Sequence, residues 1–263
     1  MTERWQGKAL VTGGARRLGR AMVMYLAARG HDVAIHYRGS ADEAEATAAE
    51  ARALGVQAVT LAADLLDEEA TAGLVPAAAQ ALGGPLTVLV NNASIFEYDT
   101  IRSATRASWD RHIGSNLRAP FVLIQAFAAQ APKAGTRDGE PLAQALVVNM
   151  CDQRVLKPTP EFMTYSLAKA GLWALTRTAA QALAPDIRVN AIGPGPTMQG
   201  ARQSEDHFSR QRAATILRRG AGPEDVTAAL GYLLDAASVT GQLICTDGGQ
   251  HLGWQTPDVL GVE

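Results

Sequence analysis

The stretch KALVTGGARRLGRAM, residues 8–22, decides the fold of this chain. Its first part, KALVTG, is a short apolar run that predicts a β-strand, and the segment after it predicts a helix. Gly13 and Gly14 allow a tight turn between the two, and Gly19 lets the helix approach the sheet closely. A helix that begins at such a turn points backbone N–H groups at it, where they bind phosphate. The stretch therefore predicts the opening of a nucleotide-binding sheet.

Further apolar runs follow, separated by longer segments with helical periodicity. Several are almost entirely apolar, which is typical of strands covered on both faces. The alternation predicts one α/β domain over residues 1–263, a Rossmann-type doubly wound parallel sheet of about seven strands with helices on both faces. Ligands in such sheets lie beyond the carboxyl ends of the strands, and the N-terminal half is expected to hold the nucleotide. The six further runs are DVAIHY (32–37), AVTLAAD (58–64), TVLVNNA (87–93), ALVVNM (145–150), IRVNAIG (187–193) and QLICTDG (242–248).

Two polar segments interrupt this pattern. KAGTRDGEPLAQ, residues 133–144, is broken by Gly and Pro and predicts a surface loop. PGPTMQGARQSEDHFSRQR, residues 194–212, is a long excursion between a strand and a helix. Segments placed in this way often close over a substrate, so a substrate loop is expected near 194–212, with an ordinary surface insertion as the alternative.

Composition excludes several classes of function. The chain has 263 residues, 47% of them apolar, and a net charge of −2 that gives no footprint for nucleic acid. No apolar run is long enough to span a bilayer, and the N-terminus enters a strand almost at once without a leader-like pattern, so a cytoplasmic protein is expected. Cys151 and Cys245 follow no metal-ligand spacing and are expected to be free thiols, with no metal site.

The end of the second predicted strand bears on the choice of dinucleotide. A carboxylate there would bind a ribose 2′-hydroxyl and repel a 2′-phosphate, but the strand ends HYRGS, residues 36–40. Arg38, Ser40 and Arg16 supply guanidinium and hydroxyl donors suited to a phosphate. The sequence therefore predicts NADPH rather than NADH, although a solvated arginine in a loop is the plainer interpretation of Arg38.

The stretch NMCDQRVLKPTPEFMTYSLAKA, residues 149–170, predicts the chemistry. Tyr165 and Lys169 stand four positions apart and share one helix face, and Asp152 precedes Tyr165 by thirteen positions. A free tyrosine titrates near pH 10, and a nearby ammonium together with an oxidised nicotinamide ring would favour its phenolate. The pattern predicts a phenol that exchanges a proton near neutral pH.

The chain resembles the short-chain dehydrogenase/reductase family over essentially its whole length. TGGARRLG, NNAS, SNLRAP, YSLAK, IRVNAIGPG and TGQLICTDGG occur in the order and spacing of that family. The resemblance implies that Tyr165 is the proton donor, that Lys169 holds the nicotinamide ribose and lowers the Tyr165 pKa, and that Asn116 anchors a proton-relay water. It also implies an adenine-contacting Asp64, a homotetramer, and a C-terminal tail with His251 and Trp254 packed at a subunit interface. The cofactor residues implied are Gly13, Arg16, Arg17, Leu18, Gly19, Tyr37, Arg38, Ser40, Asp64, Leu65, Asn92, Ala93, Ser94, Tyr165, Lys169, Pro194 and Gly195.

Three departures from the family pattern indicate a branch. Asp152 stands at the catalytic serine position, Ser94 ends NNAS where NNAG is usual, and Arg17 replaces the middle glycine of the first turn. All three resemble the pteridine reductases and the related dihydromonapterin reductases. The resemblance implies that Asp152 relays protons to ring nitrogens and that Phe96 stacks on a pterin, while Arg17 and Ser94 meet its polar edge.

The expected activity is NADPH-dependent reduction of a small-molecule pterin, from the 7,8-dihydro to the tetrahydro form, with Tyr165 as proton donor. The alternatives are a carbonyl reductase of the same family and a non-catalytic NADPH-binding sensor. Each substrate residue also has a plainer role: Asp152 as a capping carboxylate, Phe96 as loop packing, and Arg17 as a contact to pyrophosphate alone.

Overall fold

The computed structural model describes residues 7–200, 203–256 and 259. The expected domain of residues 1–263 therefore includes the segments 1–6, 201–202, 257–258 and 260–263 that lie outside the described residues. Seven parallel strands form one sheet in the order β3-β2-β1-β4-β7-β8-β9, which confirms the predicted fold class. The strands of this sheet are β1 (Lys8–Val11), β2 (Asp32–Tyr37), β3 (Ala58–Ala62), β4 (Val88–Asn91), β7 (Ala145–Met150), β8 (Ile187–Pro194) and β9 (Leu243–Thr246).

Helices cover both faces of the sheet. On one face, Met22, Leu26 and Leu230 are buried against Val33 and Ile35 of β2 in a single apolar cluster. Leu74, Leu123 and Phe127 form the cluster on the opposite face. Every residue of β7 is buried, as expected of a strand enclosed between two helical layers. The helices are α1 (Arg17–Ala28), α2 (Ala41–Ala53), α3 (Glu68–Ala81), α4 (Arg106–Ile113), α5 (Ala119–Gln130), α6 (Met163–Leu183), α7 (Glu205–Ala213) and α8 (Pro223–Asp235), with a π-helical turn at Gly114–Arg118 and 3-10 turns at Gln153–Val155 and Gln250–Leu252.

The strand order reverses at β1, which pairs with β2 on one side and β4 on the other. The connections from β1 and β4 leave in opposite directions and open a crevice at the carboxyl ends of the strands. The glycine-rich turn after β1 lies at this point. Among the described residues, none of the helices is both long and apolar enough to cross a membrane.

The segment 133–144, predicted to be a loop, is instead a β-hairpin. Strands β5 (Gly135–Arg137) and β6 (Glu140–Leu142) pair antiparallel outside the main sheet. Asp138 and Gly139 connect them with φ values of 55° and 83°, the conformation that an Asp-Gly pair favours in two-residue hairpins. The prediction was wrong because it read the Gly and Pro residues as breakers and overlooked this dipeptide.

The excursion near 194–212 is partly ordered into α7. Ser204 caps that helix by accepting a hydrogen bond from His207 N at 3.2 Å. The two positions 201–202 lie outside the described residues. Of the remaining part, residues 194–198 and Gln203 line the crevice at the carboxyl edge of the sheet.

Candidate active site

A cleft of about 850 Å³ opens at the carboxyl ends of the strands. It is lined by the turns after β1, β2, β3, β4, β7 and β8, as the doubly wound topology requires. Most of the predicted cofactor and substrate residues meet here, whereas Asn116 and Lys169 do not line it. The predicted residues along its walls are Gly13, Arg16, Arg17, Leu18, Gly19, Tyr37, Arg38, Ser40, Asp64, Leu65, Asn92, Ala93, Ser94, Phe96, Asp152, Tyr165, Pro194 and Gly195.

The turn between β1 and α1 has the shape of a phosphate cradle. Gly13 has a φ of 62°, and a Cβ on Gly19 would lie 2.0 Å from the Gly13 carbonyl oxygen. Asn92 Nδ2 donates to the carbonyl oxygens of Thr12 at 2.8 Å and Gly13 at 3.2 Å, which ties the turn to the end of β4. No side chain caps the start of α1, so its first N–H groups remain available to an anion.

Arg17 adopts a left-handed backbone conformation, with a φ of 54°. A non-glycine residue there is strained by about 1 kcal/mol, which accounts for the glycine that the family pattern has at this position. Its guanidinium crosses the cleft and donates to the carbonyl oxygens of Gln199 at 3.0 Å and Met198 at 3.1 Å. Arg17 therefore holds the loop after β8, and its expected contacts with pyrophosphate and with a substrate ring stay predictions.

His36 is a site residue that sequence reasoning missed. The Gly13 N–H donates to His36 Nδ1 at 3.0 Å, so Nδ1 carries no proton, and Nε2 donates to the Ala63 carbonyl oxygen at 3.1 Å. Burial lowers the pKa of His36, which keeps the imidazole neutral. This histidine therefore holds the glycine turn against the ends of β2 and β3.

The end of β2 suits a phosphate group. Tyr37, Arg38 and Ser40 line the cleft and include no carboxylate, while Arg16 reaches the same wall. Arg16 pairs with Glu43 of α2 at 3.3 Å, and both side chains are well exposed. Such an exposed pair is weak, so a phosphate can compete for the guanidinium. The donor set fits the 2′-phosphate of an NADP-type cofactor.

Asp152 and Tyr165 form the polar end of the cleft. The Tyr165 hydroxyl donates to Asp152 Oδ2 at 2.9 Å, and Asp152 Oδ1 accepts from Arg154 N at 2.9 Å. Burial raises the pKa of Asp152, and hydrogen bonds to its carboxylate only partly oppose this. Burial and then the Asp152 charge raise the pKa of Tyr165 well above its usual value. Asp152 thus caps the turn Gln153–Val155 with one oxygen and binds the phenol with the other.

Lys169 is buried behind the tyrosine. Its Nζ donates to the Met150 carbonyl oxygen at 2.6 Å and lies 5.7 Å from the centroid of the Tyr165 ring. Burial lowers the Lys169 pKa. The predicted lowering of the Tyr165 pKa by this ammonium is not seen in the protein alone, because burial and Asp152 dominate. The phenol is consequently protonated, which is the state that a proton donor needs.

Asn116 is fully buried in the π-helical turn Gly114–Arg118. Its Oδ1 accepts from Ile95 N at 2.9 Å, and its Nδ2 donates to the Ile95 carbonyl oxygen at 2.8 Å. Both amide atoms are therefore used to fix the loop after β4, and the side chain does not line the cleft. The expected role of Asn116 as anchor of a relay water stays a prediction.

An aromatic wall faces the tyrosine. Phe96 is 44% exposed and stacks on Phe162 with ring centroids 4.2 Å apart and an angle of 8° between the planes. Its centroid lies 4.7 Å from that of Tyr165, edge to face, and Arg154 lies 5.1 Å over the Phe162 ring. Phe96 therefore both packs within the loop and presents part of its surface to the cleft. Sequence reasoning missed Arg154 and Phe162, although both lie within the stretch 149–170, between Asp152 and Tyr165.

The remaining expectations concern thiols and the tail. Burial raises the pKa of Cys151 to about 12, in agreement with a packed, unreactive thiol. Cys245 is also a free thiol. His251 Nδ1 lies 2.7 Å from Asp247 Oδ2, and Trp254 is exposed. Much of the tail beyond Trp254 lies outside the described residues. Among the described residues, no group of His, Cys, Asp and Glu has the arrangement of a metal site.

Comparisons with known proteins identify the family of this chain. A family model described as enoyl-(acyl carrier protein) reductase matches residues 13–251. The FolM alternative dihydrofolate reductase 1 from Brucella canis, solved as a complex with NADP, is 43% identical, with a TM-score of 0.87 and coverage of 97% of this chain and 98% of that chain. The corresponding protein from Brucella suis, also in complex with NADP, is 44% identical, with a TM-score of 0.89 and coverage of 96% and 98%.

A relative with a different named activity also matches. The 3-oxoacyl-(acyl-carrier-protein) reductase FabG of Staphylococcus aureus strain Mu50 is 31% identical over 249 residues, which cover 93% of this chain and 98% of that protein. The family model extends from Gly13 in the glycine turn past the Tyr165 and Lys169 helix to β9, and these relatives each cover at least 93% of the chain. The chain therefore belongs to the short-chain dehydrogenase/reductase family of oxidoreductases.

Proposed function

We propose that this protein is an NADPH-dependent reductase of pterins that converts a 7,8-dihydropterin into the tetrahydropterin. The observation that carries the proposal is the hydrogen bond of 2.9 Å from the Tyr165 hydroxyl to Asp152 Oδ2. Asp152 occupies the position at which the family pattern has a serine. A serine hydroxyl donates to a developing oxyanion, whereas a carboxyl group both accepts from ring N–H groups and relays protons. The similarity to the two Brucella FolM proteins supports the same substrate class.

The cofactor is held by residues that fit it on their own geometry. The glycine turn and the uncapped start of α1 suit the pyrophosphate, and Arg38, Ser40 and Arg16 suit the 2′-phosphate. The similarity to structures solved with NADP agrees with this assignment. When bound, NADPH supplies a hydride to the substrate.

Tyr165 supplies the matching proton. As the C6 position of the dihydropterin receives the hydride, N5 takes the proton of the Tyr165 hydroxyl, and the phenolate is reprotonated from Asp152 or from solvent. The raised pKa of Asp152 increases the fraction of the carboxyl group that carries a proton near neutral pH. Reduction of a fully oxidised pterin at C7 and N8 would use Asp152 more directly. Phe96 lines the cleft and is backed by Phe162, so it offers an apolar wall on which a flat ring can stack.

A carbonyl reductase is the second candidate. The observation in its favour is the 31% identity to a 3-oxoacyl-(acyl-carrier-protein) reductase over nearly the whole chain. Tyr165 can protonate a carbonyl oxygen as well as a ring nitrogen, so the phenol alone does not separate the two activities. A non-catalytic NADPH sensor is disfavoured because a binding protein has no need of a phenol held beside a buried carboxyl group.

We further propose a cytoplasmic homotetramer. Trp109, Phe121 and Leu167 are large apolar side chains of α4, α5 and α6 that are between 37% and 46% exposed in the single chain. Burial of such side chains between subunits is favourable. Light scattering of the purified protein tests the subunit number, and a monomer at micromolar concentration would contradict it.

The test of function is NADPH oxidation, followed by absorbance, with 7,8-dihydrobiopterin, 7,8-dihydromonapterin, dihydrofolate and an acetoacetyl thioester in parallel. Turnover of one or more pterins without turnover of the thioester is the expected result. The Asp152→Ser variant is expected to lose pterin turnover while it binds NADPH as the wild type does. Turnover of the thioester alone would support the carbonyl reductase, and NADPH binding without any turnover would support the sensor.

A further inference from the structure

Helix α6, which carries Tyr165, begins without a cap from its own sequence. Its N-cap residue is Phe162, which has a left-handed φ of 55° and makes no capping hydrogen bond through its side chain. The cap comes from Asp99 in the loop after β4. Asp99 Oδ1 accepts from Thr164 N at 3.1 Å, and the Asp99 carbonyl oxygen accepts from Met163 N at 3.3 Å. The catalytic helix thus borrows its N-terminal cap from a segment 65 positions away.

A chain of buried hydrogen bonds extends this cap to α4. The Glu97 N–H donates to His112 Nε2 at 3.1 Å, so that nitrogen carries no proton. His112 Nδ1 therefore holds the ring proton and donates to Thr164 Oγ1 at 2.7 Å. The Thr164 hydroxyl in turn donates to Asp99 Oδ2 at 2.5 Å. The backbone N–H of Glu97 thus fixes the tautomer of His112 and with it the direction of this chain of hydrogen bonds.

These groups are enclosed by the protein. His112 is completely buried, and Thr164 and Asp99 are 2% and 3% exposed. Burial opposes ionisation of Asp99, but hydrogen bonds from Thr164 and Ser108 together with the charge of His112 lower the Asp99 pKa. Removal of one member leaves its partners buried without a hydrogen bond, which is more costly than loss of an exposed contact.

This chain of hydrogen bonds joins the two walls of the cleft. The loop that contributes Glu97 and Asp99 also carries Phe96, and the helix that contributes Thr164 carries Tyr165 at the next position. The rings of Phe96 and Tyr165 lie 4.7 Å apart, and the His112 ring lies 6.1 Å from Tyr165. A displacement of the loop therefore moves the stacking wall and the proton donor together.

We propose that Asp99, Thr164 and His112 are positioning residues that hold the Phe96 wall and the Tyr165 hydroxyl at a fixed separation for the substrate ring. The proposal rests on the proposed function only for the roles of Phe96 and Tyr165. None of the three residues lines the cleft, and they act through the loop and the helix that they join.

The protonation state of His112, which depends on its burial and on the charges around it, decides whether the chain of hydrogen bonds is complete. Asp99 and Glu97 of the loop face it, Arg111 lies on its own helix, and the Tyr165 ring packs against it. Burial lowers the His112 pKa in spite of the two carboxylates. The ring is thus neutral at neutral pH, where Nε2 can accept from Glu97. Protonation at lower pH replaces that acceptor by a donor and breaks the link to the loop.

Two substitutions at one position test the proposal. Thr164→Val keeps the shape and the backbone N–H bond to Asp99 but removes the hydroxyl, whereas Thr164→Ser keeps the hydroxyl. Thr178→Val, at an exposed position on the same helix, serves as the control. We expect Thr164→Val to lower kcat for the best substrate about 10- to 100-fold, with the NADPH Kd changed less than about twofold. Thr164→Ser is expected to recover most of that loss.

Amide hydrogen exchange provides a readout that needs no substrate. In Thr164→Val, exchange at residues 95–99 and at Met163 and Thr164 is expected to accelerate together by about tenfold. Acceleration at only one of the two sites would contradict the coupling, as would a serine variant as impaired as the valine variant or a parallel loss of NADPH binding. If the wild type reduces neither pterins nor thioesters, the proposed function fails, and the exchange result still decides the coupling.

Discussion

The Tyr165 hydroxyl donates to Asp152 Oδ2 across 2.9 Å, and the same carboxyl group accepts the Arg154 N–H with its other oxygen. Each carboxylate oxygen of Asp152 thus accepts one hydrogen bond from the protein. The carboxylate is nevertheless unfavourable in this buried place, because burial raises its pKa despite these two hydrogen bonds. The catalytic constellation is therefore held at a cost in stability.

Because of this cost, we expect Asp152→Asn to raise the free energy of unfolding in a pH-dependent way. The folded-state pKa of Asp152 is raised above its unfolded value of about 3.9, so the native state is favoured by protonation below that value and loses this contribution as the pH rises through the folded pKa. The asparagine variant should gain unfolding free energy relative to the wild type at pH 8 and not at pH 4. Urea denaturation at both values measures it, with Asp138→Asn in the hairpin turn as control. An equal difference at both pH values would contradict the prediction.

His36 predicts a pH dependence of NADPH binding. Burial lowers its pKa, so the Nδ1 acceptor for Gly13 N–H is present above about pH 6.5 and is lost as the pH falls below that range. His36→Asn places a non-titrating oxygen near Nδ1, whereas His36→Gln keeps a donor near Nε2 and loses the acceptor. We expect the glutamine variant to bind NADPH about tenfold more weakly at pH 7.5 and the asparagine variant to bind it nearly as the wild type does.

Fluorescence titration of NADPH between pH 5.5 and 8 measures these affinities. The 2′-phosphate of the cofactor titrates near pH 6 as well, so the contribution of His36 is the difference between the wild type and His36→Asn. That difference should vanish above about pH 6.5 and grow below it. Parallel curves over the whole range would show that His36 does not sense pH in the complex.

Arg17 combines backbone strain with hydrogen bonds to the loop after β8, and two substitutions separate them. Arg17→Gly removes both the strain of a φ of 54° and the bonds to Met198 and Gln199, whereas Arg17→Ala removes only the bonds. The glycine variant should be more stable than the alanine variant by about 1 kcal/mol. Both should show faster amide exchange at residues 197–200. Equal stabilities, measured by thermal unfolding, would mean that the left-handed conformation relaxes in the alanine variant.

Gly19→Ala should disrupt the phosphate cradle. A Cβ at this position would lie 2.0 Å from the Gly13 carbonyl oxygen and 2.8 Å from Asn92 Nδ2, so either the turn or α1 must move. Gly39→Ala lies in the same cleft but has no atom within 4 Å of the added Cβ. We expect the NADPH Kd to rise at least about tenfold in the first variant and to stay unchanged in the second, as measured by calorimetry.

The sheet was predictable because its strands are short, nearly continuous apolar runs. The glycines of the first turn, placed between a strand and a helix, are also typical of a nucleotide-binding sheet. The sequence also predicted most of the cleft, since parallel strands bring their carboxyl ends together. The contact of Arg17 with the loop after β8 was not predictable, because its partners are the backbone carbonyl groups of residues 198 and 199. Every residue has such a group, so the sequence does not show which of them Arg17 binds.

His36, His112 and Asp99 were missed for a related reason. A single histidine in a strand or a helix belongs to no motif, and its role depends on which backbone N–H faces it in three dimensions. Phe162 was hidden in a loop whose composition gives no hint of its stacking on Phe96. The Asp152 and Tyr165 pair was found because both belong to one segment, where a family pattern fixes their spacing.

The borrowed cap of α6 also limits how this enzyme can be redesigned. Exchange of residues 95–104 between family members is an obvious route to new substrates, since this loop forms one wall of the cleft. A graft without a carboxylate at the position of Asp99 would leave the backbone N–H and the hydroxyl of Thr164 without their acceptor and would free the start of the tyrosine helix. Chimeras of this loop should therefore be built with the residues of α4 and α6 that bind it, as one transplanted unit.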